Sequence, residues 1–344
     1  MTAAHTDLDL ARQLLAKMGI APADLAEEPP PRPAVPTFAE YIPIVAKSVS
    51  PTTARSYGSY WARAEAAWGP RRIDEPTPSE INELAEHCQA NALVRRNSRG
   101  GRSAKENFIA ALRCLYRAAV NDELIAEIRN PATKVAKPRR LPSPRRALAT
   151  SELTEINTVT AATGDDPELD TLLLRFHTET AARRGGALAL RPRDLVHDEC
   201  LVYLREKDGA SRYQPVSPTL MQLLLDHAAE RGSADPDGQL LRYRTGEPIT
   251  KRRYDHLWHR VGRHLTFVRD QNISTHWLRH TTLTWVERRF GYGIAHAFAG
   301  HFDSSDNATV TYIKASVHDV ATALAALTGE PHPLAPQHAI GGPR

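Results

Sequence analysis

A chain of 344 residues, 41% of them hydrophobic, can bury a core in each of two domains, and no apolar run approaches the ~20 residues a membrane helix needs. The start carries Asp7 and Asp9 instead of a cationic and apolar leader, and Cys88, Cys114 and Cys200 form no CxxC pair, so the expected setting is a reducing cytoplasm. The net charge of +4 is unevenly spread: residues 38–146 hold 19 Lys+Arg against 11 Asp+Glu, while residues 1–37 (3 against 5) and the remainder (22 against 24) each carry −2. A surplus confined to one region is the electrostatic footprint of a module that grips nucleic acid.

Residues 1–28 predict a short amphipathic helix through Leu8, Leu10, Leu14, Leu15 and Met18, followed by a stiff linker at Pro29-Pro30-Pro31-Arg32-Pro33; residues 1–36 are a tail and linker. Residues 37–135 read as wholly helical. Thr37-Phe38 opens one helix, Ser50-Pro51 a second with Tyr57, Tyr60 and Trp61, and Thr77-Pro78-Ser79-Glu80 a third with Ile81, Leu84 and Cys88. Ala104 to Val120 is the fourth, its stripe made by Phe108, Leu112, Leu115 and Tyr116, and Asn130-Pro131 ends the bundle. Arg95, Arg96, Arg99, Arg102 and Lys105 gather around Gly100-Gly101, where backbone can approach phosphates. The stretch 136–148 is proline-rich and carries Lys137, Arg139, Arg140, Arg145 and Arg146, a basic linker suited to a phosphate backbone.

From Thr150 a capped helix opens a second domain, residues 149–330. Cys200–Arg205 and Arg212–Val216 predict two strands, with Asp208-Gly209 as the hairpin signal and Lys207 at its tip. Helices follow from Ser217 to Glu230 and from Arg252 to Val268, the latter carrying Arg252, Arg253, Trp258 and Arg260 as a surface for DNA. Val317 to Leu327 is a short apolar stripe, and residues 331–344 are expected to be a flexible tail. His276 and His280 stand four apart, as in a zinc pair, but the metalloprotease pattern requires Glu after the first His and Trp277 stands there, so no metal is expected.

Three segments carry chemistry. The first is Thr180-Ala181-Ala182-Arg183-Arg184-Gly185-Gly186-Ala187-Leu188, the second His276-Trp277-Leu278-Arg279-His280, and the third Ala299-Gly300-His301 followed by Tyr312. In order and rough separation they resemble the boxes of the tyrosine recombinase (phage integrase) family, whose first box is written T-G-L-R-x-G-E-x-x-x-L. The resemblance covers about residues 37–330. It implies a mainly α fold with a small β-sheet, in which a helical core-binding domain and a mixed α/β catalytic domain form a C-shaped clamp.

The resemblance further implies a site-specific recombinase that cleaves and rejoins DNA through a 3′-phosphotyrosine. Arg183 and Arg279 would hold the phosphate oxygens, Tyr312 would attack, Lys207 would protonate the leaving 5′-oxygen, His276 would handle the tyrosine proton and His301 would bond a phosphate oxygen. It needs no cofactor and no metal. The implied partners are duplex DNA with specific sites and further copies of the chain, a tetramer on paired sites with the C-terminal helix docked on a neighbour. A catalytically impaired DNA-binding protein of the same fold and a topoisomerase-like nicking-closing enzyme are the alternatives. Two departures stand out. Ala181-Ala182 replace Gly-Leu, and Gly186 replaces the acidic residue that normally buttresses the site. The spacing from His301 to Tyr312 is also about two residues longer than the family's pattern.

Overall fold

The computed structural model describes residues 3–19, 34–93, 99–139, 141, 145–206, 211–232, 235–300 and 316–336, with backbone only at 3–9 and 99. The chain divides into two compact units, Met1–Leu141 and Pro142–Arg344, and the division falls inside the Pro- and Arg-rich stretch. It is mainly helical with one small antiparallel sheet.

The first unit holds α1 (Ala3–Lys17), α2 (Phe38–Ser48), α3 (Pro51–Trp68), α4 (Pro78–Ala90) and α5 (Arg102–Asn121). Thr37 and Glu40 close a capping box on α2, and Thr77 and Glu80 do the same on α4, each worth about 1 kcal/mol to its helix. Ser50 caps α3 and Pro51 presets its first turn. The stripe of α5 buries Phe108, Leu112, Leu115 and Tyr116 against Phe38, Tyr41, Trp61 and Ile81. The Trp61 indole donates to the Ala111 carbonyl at 2.9 Å, so the largest core side chain leaves no polar atom unpaired. Leu10 and Leu14 on α1, and Met18 just after it, are exposed.

The second unit holds α6 (Thr150–Ala162), α7 (Pro167–Thr180), α8 (Arg184–Leu188), β1 (Leu195–Val196), β2 (Leu201–Arg205) and β3 (Ser211–Pro215). After the sheet come α9 (Pro218–Arg231), α10 (Lys251–His264), α11 (Thr266–Gln271), α12 (Thr275–Phe298) and α13 (Val317–Thr328). The strands run in order β1-β2-β3, with Val202 opposite Gln214 and Tyr203 opposite Tyr213. The tip of this hairpin, with Lys207, lies outside the described residues. Helix α7 is buried on most of its circumference and packs against α6, α9 and α12. The cap expected at Thr150 is made instead by Glu152, which accepts from the Ala149 N–H at 2.8 Å.

Two expectations about α10 are corrected here. The helix expected from Arg252 to Val268 is broken at Leu265, and Gly262 lets the backbone of Arg269 approach so that α11 folds back on α10. Arg253 does not face DNA. The stripe Tyr254, Leu257, Trp258 and Val261 turns it inward, where it is 4% exposed and donates to Asp170 at 2.7 Å and Asp165 at 2.9 Å. Arg260 shares the fully buried Asp170 at 2.6 Å, so both guanidiniums neutralise a carboxylate under the helix.

In the single chain, α13 packs on its own unit. Val320, Ala323 and Leu324 join Ala181, Val286, Ala295 and Phe298 in one apolar cluster. Beyond it, Glu330 accepts from Arg175 at 2.6 Å and from the Thr219 N–H at 3.2 Å. The buried His332 lies 3.2 Å from the Cys200 carbonyl, so the expected tail is seated at least through this residue.

Candidate active site

A cleft of about 1180 Å³ opens in the second unit between the turn after α7, the end of β2, one face of α10 and the start of α12. Eight cationic side chains line it (Arg145, Arg183, Arg184, Arg205, Lys251, Arg263, Arg269 and Arg279), against two carboxylates, Glu206 and Asp255. Such an excess in a concave surface focuses a positive potential, and the first turn of α12, contributing Thr275 and His276, adds the positive end of a helix dipole.

The arginine turn is built by an unusual residue. Ala181 ends α7 in the left-handed region, at φ 49°, and its carbonyl accepts from Arg279 Nη1. The next carbonyl, of Ala182, accepts from His177 Nδ1 at 2.9 Å, while the Tyr254 hydroxyl donates to His177 Nε2 at 2.9 Å. Burial drives the His177 pKa down to about 4, so the ring is neutral and holds the turn as a fixed donor and acceptor. Arg183 follows at the cap of α8, its side chain 38% exposed toward the cleft.

Arg279 lies one turn after His276, so both point to the same side of α12. It is 4% exposed, and its Nη2 donates to the Ala299 carbonyl at 2.7 Å, tying the start of α12 to its end. Burial, then the Arg183 charge, lower its pKa to about 10, and it stays charged at neutral pH. His276 is exposed on the cleft side. Burial of part of the ring, then the charges of Arg145, Arg279, His280 and Arg183, hold its pKa below the usual value, which leaves a neutral ring able to accept a proton. The Trp258 indole donates to Thr275 Oγ1 at 2.9 Å and fixes the first turn that carries it.

Between the two arginines sits Glu206, its side chain 1% exposed. Oε2 accepts from Arg183 Nη1 at 2.6 Å, and Oε1 accepts from the Arg183 N–H at 3.3 Å and from Arg212 Nη1 at 3.2 Å, with Arg279 Nη1 at 4.0 Å. Burial raises its pKa, but the Arg183 hydrogen bond and the charges of Arg212 and Arg183 outweigh it, and the carboxyl stays ionised. Arg212 is itself buried and also donates to the carbonyls of Thr180 at 3.4 Å and Phe298 at 3.3 Å.

Of the six expected catalytic residues, the structure brings Arg183, His276 and Arg279 to one cleft; Lys207, His301 and Tyr312 lie outside the described residues. Of the expected DNA contacts, Arg145 lines the cleft, while Arg146 is paired with Glu152 at 2.5 Å. Arg252 is exposed but is not among the lining residues. In the first unit, Arg102 and Lys105 line a shallow groove of about 700 Å³ with Lys134 and Lys137. There Lys105 pairs with Glu86, and Arg102 donates to the Arg139 carbonyl at 3.0 Å. Arg95, Arg96 and Arg140 and the side chain of Arg99 are outside the described residues.

Sequence reasoning missed Glu206, Arg212 and the true outer face of α10, which is Lys251, Asp255, His259 and Arg263. The last was findable. These four recur at every fourth position, opposite the apolar stripe that turns Arg253 inward.

The family model described as the phage integrase family matches residues 146–318. Among solved structures, the lambda integrase tetramer bound to a Holliday junction is similar at 13% identity and TM-score 0.59, over 88% of this chain and 87% of that one. The lambda integrase (75–356) dimer bound to a COC′ core site gives 15% identity and 0.59, over 79% and 97%. The Tn1549 transposon integrase in complex with transposon right end DNA gives 15% and 0.60, over 85% and 99%. No curated protein sequence matches.

Proposed function

This chain belongs to the phage integrase family, and from that premise we propose that it is a site-specific DNA recombinase that works through a 3′-phosphotyrosine. The observation that carries the reading is the pairing of Arg183 and Arg279 at one basic cleft beside a neutral His276. Two guanidiniums present forked donors to the non-bridging oxygens of a phosphodiester, where negative charge grows in the transition state. In the proposed reaction the Tyr312 hydroxyl attacks phosphorus and its proton passes to His276. The phosphorus–O5′ bond breaks, and Lys207 protonates the departing 5′-oxygen. His301 bonds a phosphate oxygen. The phosphotyrosyl ester keeps the bond energy, so a 5′-hydroxyl of a second strand reverses the step without ATP.

The partners in this reading are duplex DNA carrying specific sites and further copies of the chain, four on two paired sites, in the cytoplasm. The lambda integrase tetramer on a Holliday junction supports that stoichiometry by analogy. The test begins with a binding site selected by the purified protein from a random duplex pool. On that site, nicked beside the cleavage point, wild-type protein forms a covalent adduct, whereas Tyr312→Phe binds and forms none. A normal adduct from Tyr312→Phe sinks the assignment, and Tyr292 becomes the residue to test. Strand exchange between two duplexes excludes a purely nicking-closing enzyme.

A further inference from the structure

The family's first box ends in an acidic residue that buttresses its arginine, and this chain has Gly186 there. The space beside Gly186 is not empty. A Cβ built on it would be in ordinary contact, 3.4 Å from the Arg205 carbonyl oxygen, 3.7 Å from Glu206 Oε1 and 3.8 Å from Glu206 Cδ. A carboxylate head from the end of β2 thus lies beside the point from which a side chain at position 186 would start. We infer that Glu206 is the positioning carboxylate of the recombination site, supplied from the sheet in place of the arginine turn.

The charges around it say what it does. Arg183, Arg212 and Arg279 converge on this one carboxylate, all within 4.0 Å. Without it three guanidiniums, two of them buried, would lose the carboxylate they share, and their mutual repulsion would act to splay the two that meet phosphate. With it the set keeps a surplus positive charge for a substrate anion. Glu206 also accepts from the Arg183 N–H, so it holds the backbone of the turn as well as the side chain. An acidic residue at 186 would set a second carboxylate against the first, so one site accommodates one donor position or the other. Glu206 directly precedes Lys207 in sequence, so the residue that orients the arginines is also the root of the lysine hairpin. In this chain the two halves of the charge-handling apparatus share one anchor.

This inference rests on the recombinase reading, and relocating the charge tests it. Glu206→Gln keeps the shape and removes the charge; Gly186→Asp with Glu206→Gln returns a carboxylate from the other backbone position. Adduct formation on the nicked site is measured beside affinity for the intact site and thermal melting. Glu206→Gln is expected to slow adduct formation at least about tenfold with affinity changed less than about threefold, and the double variant to recover most of the lost rate. A residue of merely structural importance would not be rescued by moving its charge. If Glu206→Gln does not fold, the double variant decides: folded and active supports the inference, and unfolded or inactive overturns it. Glu206→Gln within about threefold of an active wild type, or a folded double variant no faster than Glu206→Gln, also overturns it. A wild type that makes no adduct at all overturns the recombinase reading itself.

Discussion

Substituting Leu324 by alanine separates a C-terminal helix seated in its own chain from one exchanged between subunits. Leu324 is 1% exposed in a cluster whose other buried members are Ala181, Val286, Ala295, Phe298, Val320 and Ala323, with Leu283, Trp285, Phe290, Ile294, Ala297 and Leu327 partly buried against it. Three of the buried members are alanines that cannot swing into the space, while the longer side chains at its edge can close it in part. The cost falls near the middle of the usual range for such truncations, about 3 kcal/mol. For a unit of this size each kcal/mol shifts the melting temperature by roughly 2–4 °C, so a fall of about 6–12 °C follows. The assay is a thermal melt of DNA-free protein, repeated over a hundredfold range of concentration. A concentration-independent fall confirms packing in cis. A shift below about 2 °C, or one that appears only at high concentration, refutes it.

His177 and His227 are buried and held near pKa 4, against 6.5 when unfolded. Stability is therefore complete above pH 6.5 and is lost as the pH falls toward 4, because the unfolded chain binds those protons first; at pH 5 the loss is about 2 kcal/mol for each ring, readable by urea titration. Arg253→Ala leaves Asp170 with Arg260 as its remaining guanidinium, removes a buried charged hydrogen bond and should cost about 1.5–3 kcal/mol of stability, and an unchanged melt would disprove the buried pairing. Lys251→Ala with Arg263→Ala should leave the melt within about 1 kcal/mol but lower the salt dependence of DNA binding by up to about 0.9 per contact. An unchanged salt slope would show that this face of α10 does not meet phosphate.

Much of the fold was legible because its signals are local. The Thr37–Glu40 and Thr77–Glu80 boxes, Ser50-Pro51 and the alternation around Asp208-Gly209 each declare an element within a few residues. The arginine and histidine of the second box were legible for the same reason. What escaped depends on partners far apart in sequence. Glu206 beside a lysine at a turn reads as a solvated pair, yet its guanidinium partner is 23 positions away. Asp170 and Arg253, 83 positions apart, are equally invisible to periodicity. The apolar stripe of α13 announced that it needed a surface, and in the single chain Ala181, Val286 and Phe298 supply one.

The left-handed Ala181 has a consequence for sequence variation. That conformation aims its carbonyl at Arg279, and the same residue's Cβ lies inside the apolar cluster under α13. Glycine at 181 would relieve about 1 kcal/mol of backbone strain and forfeit a buried methyl worth about 0.8 kcal/mol, so the exchange is close to neutral. Any larger side chain keeps the strain and must also fit inside a cluster whose Phe298 and Leu324 are at most 1% exposed. Position 181 thus admits an alphabet of two letters, and a saturation library there should return functional clones carrying glycine or alanine alone.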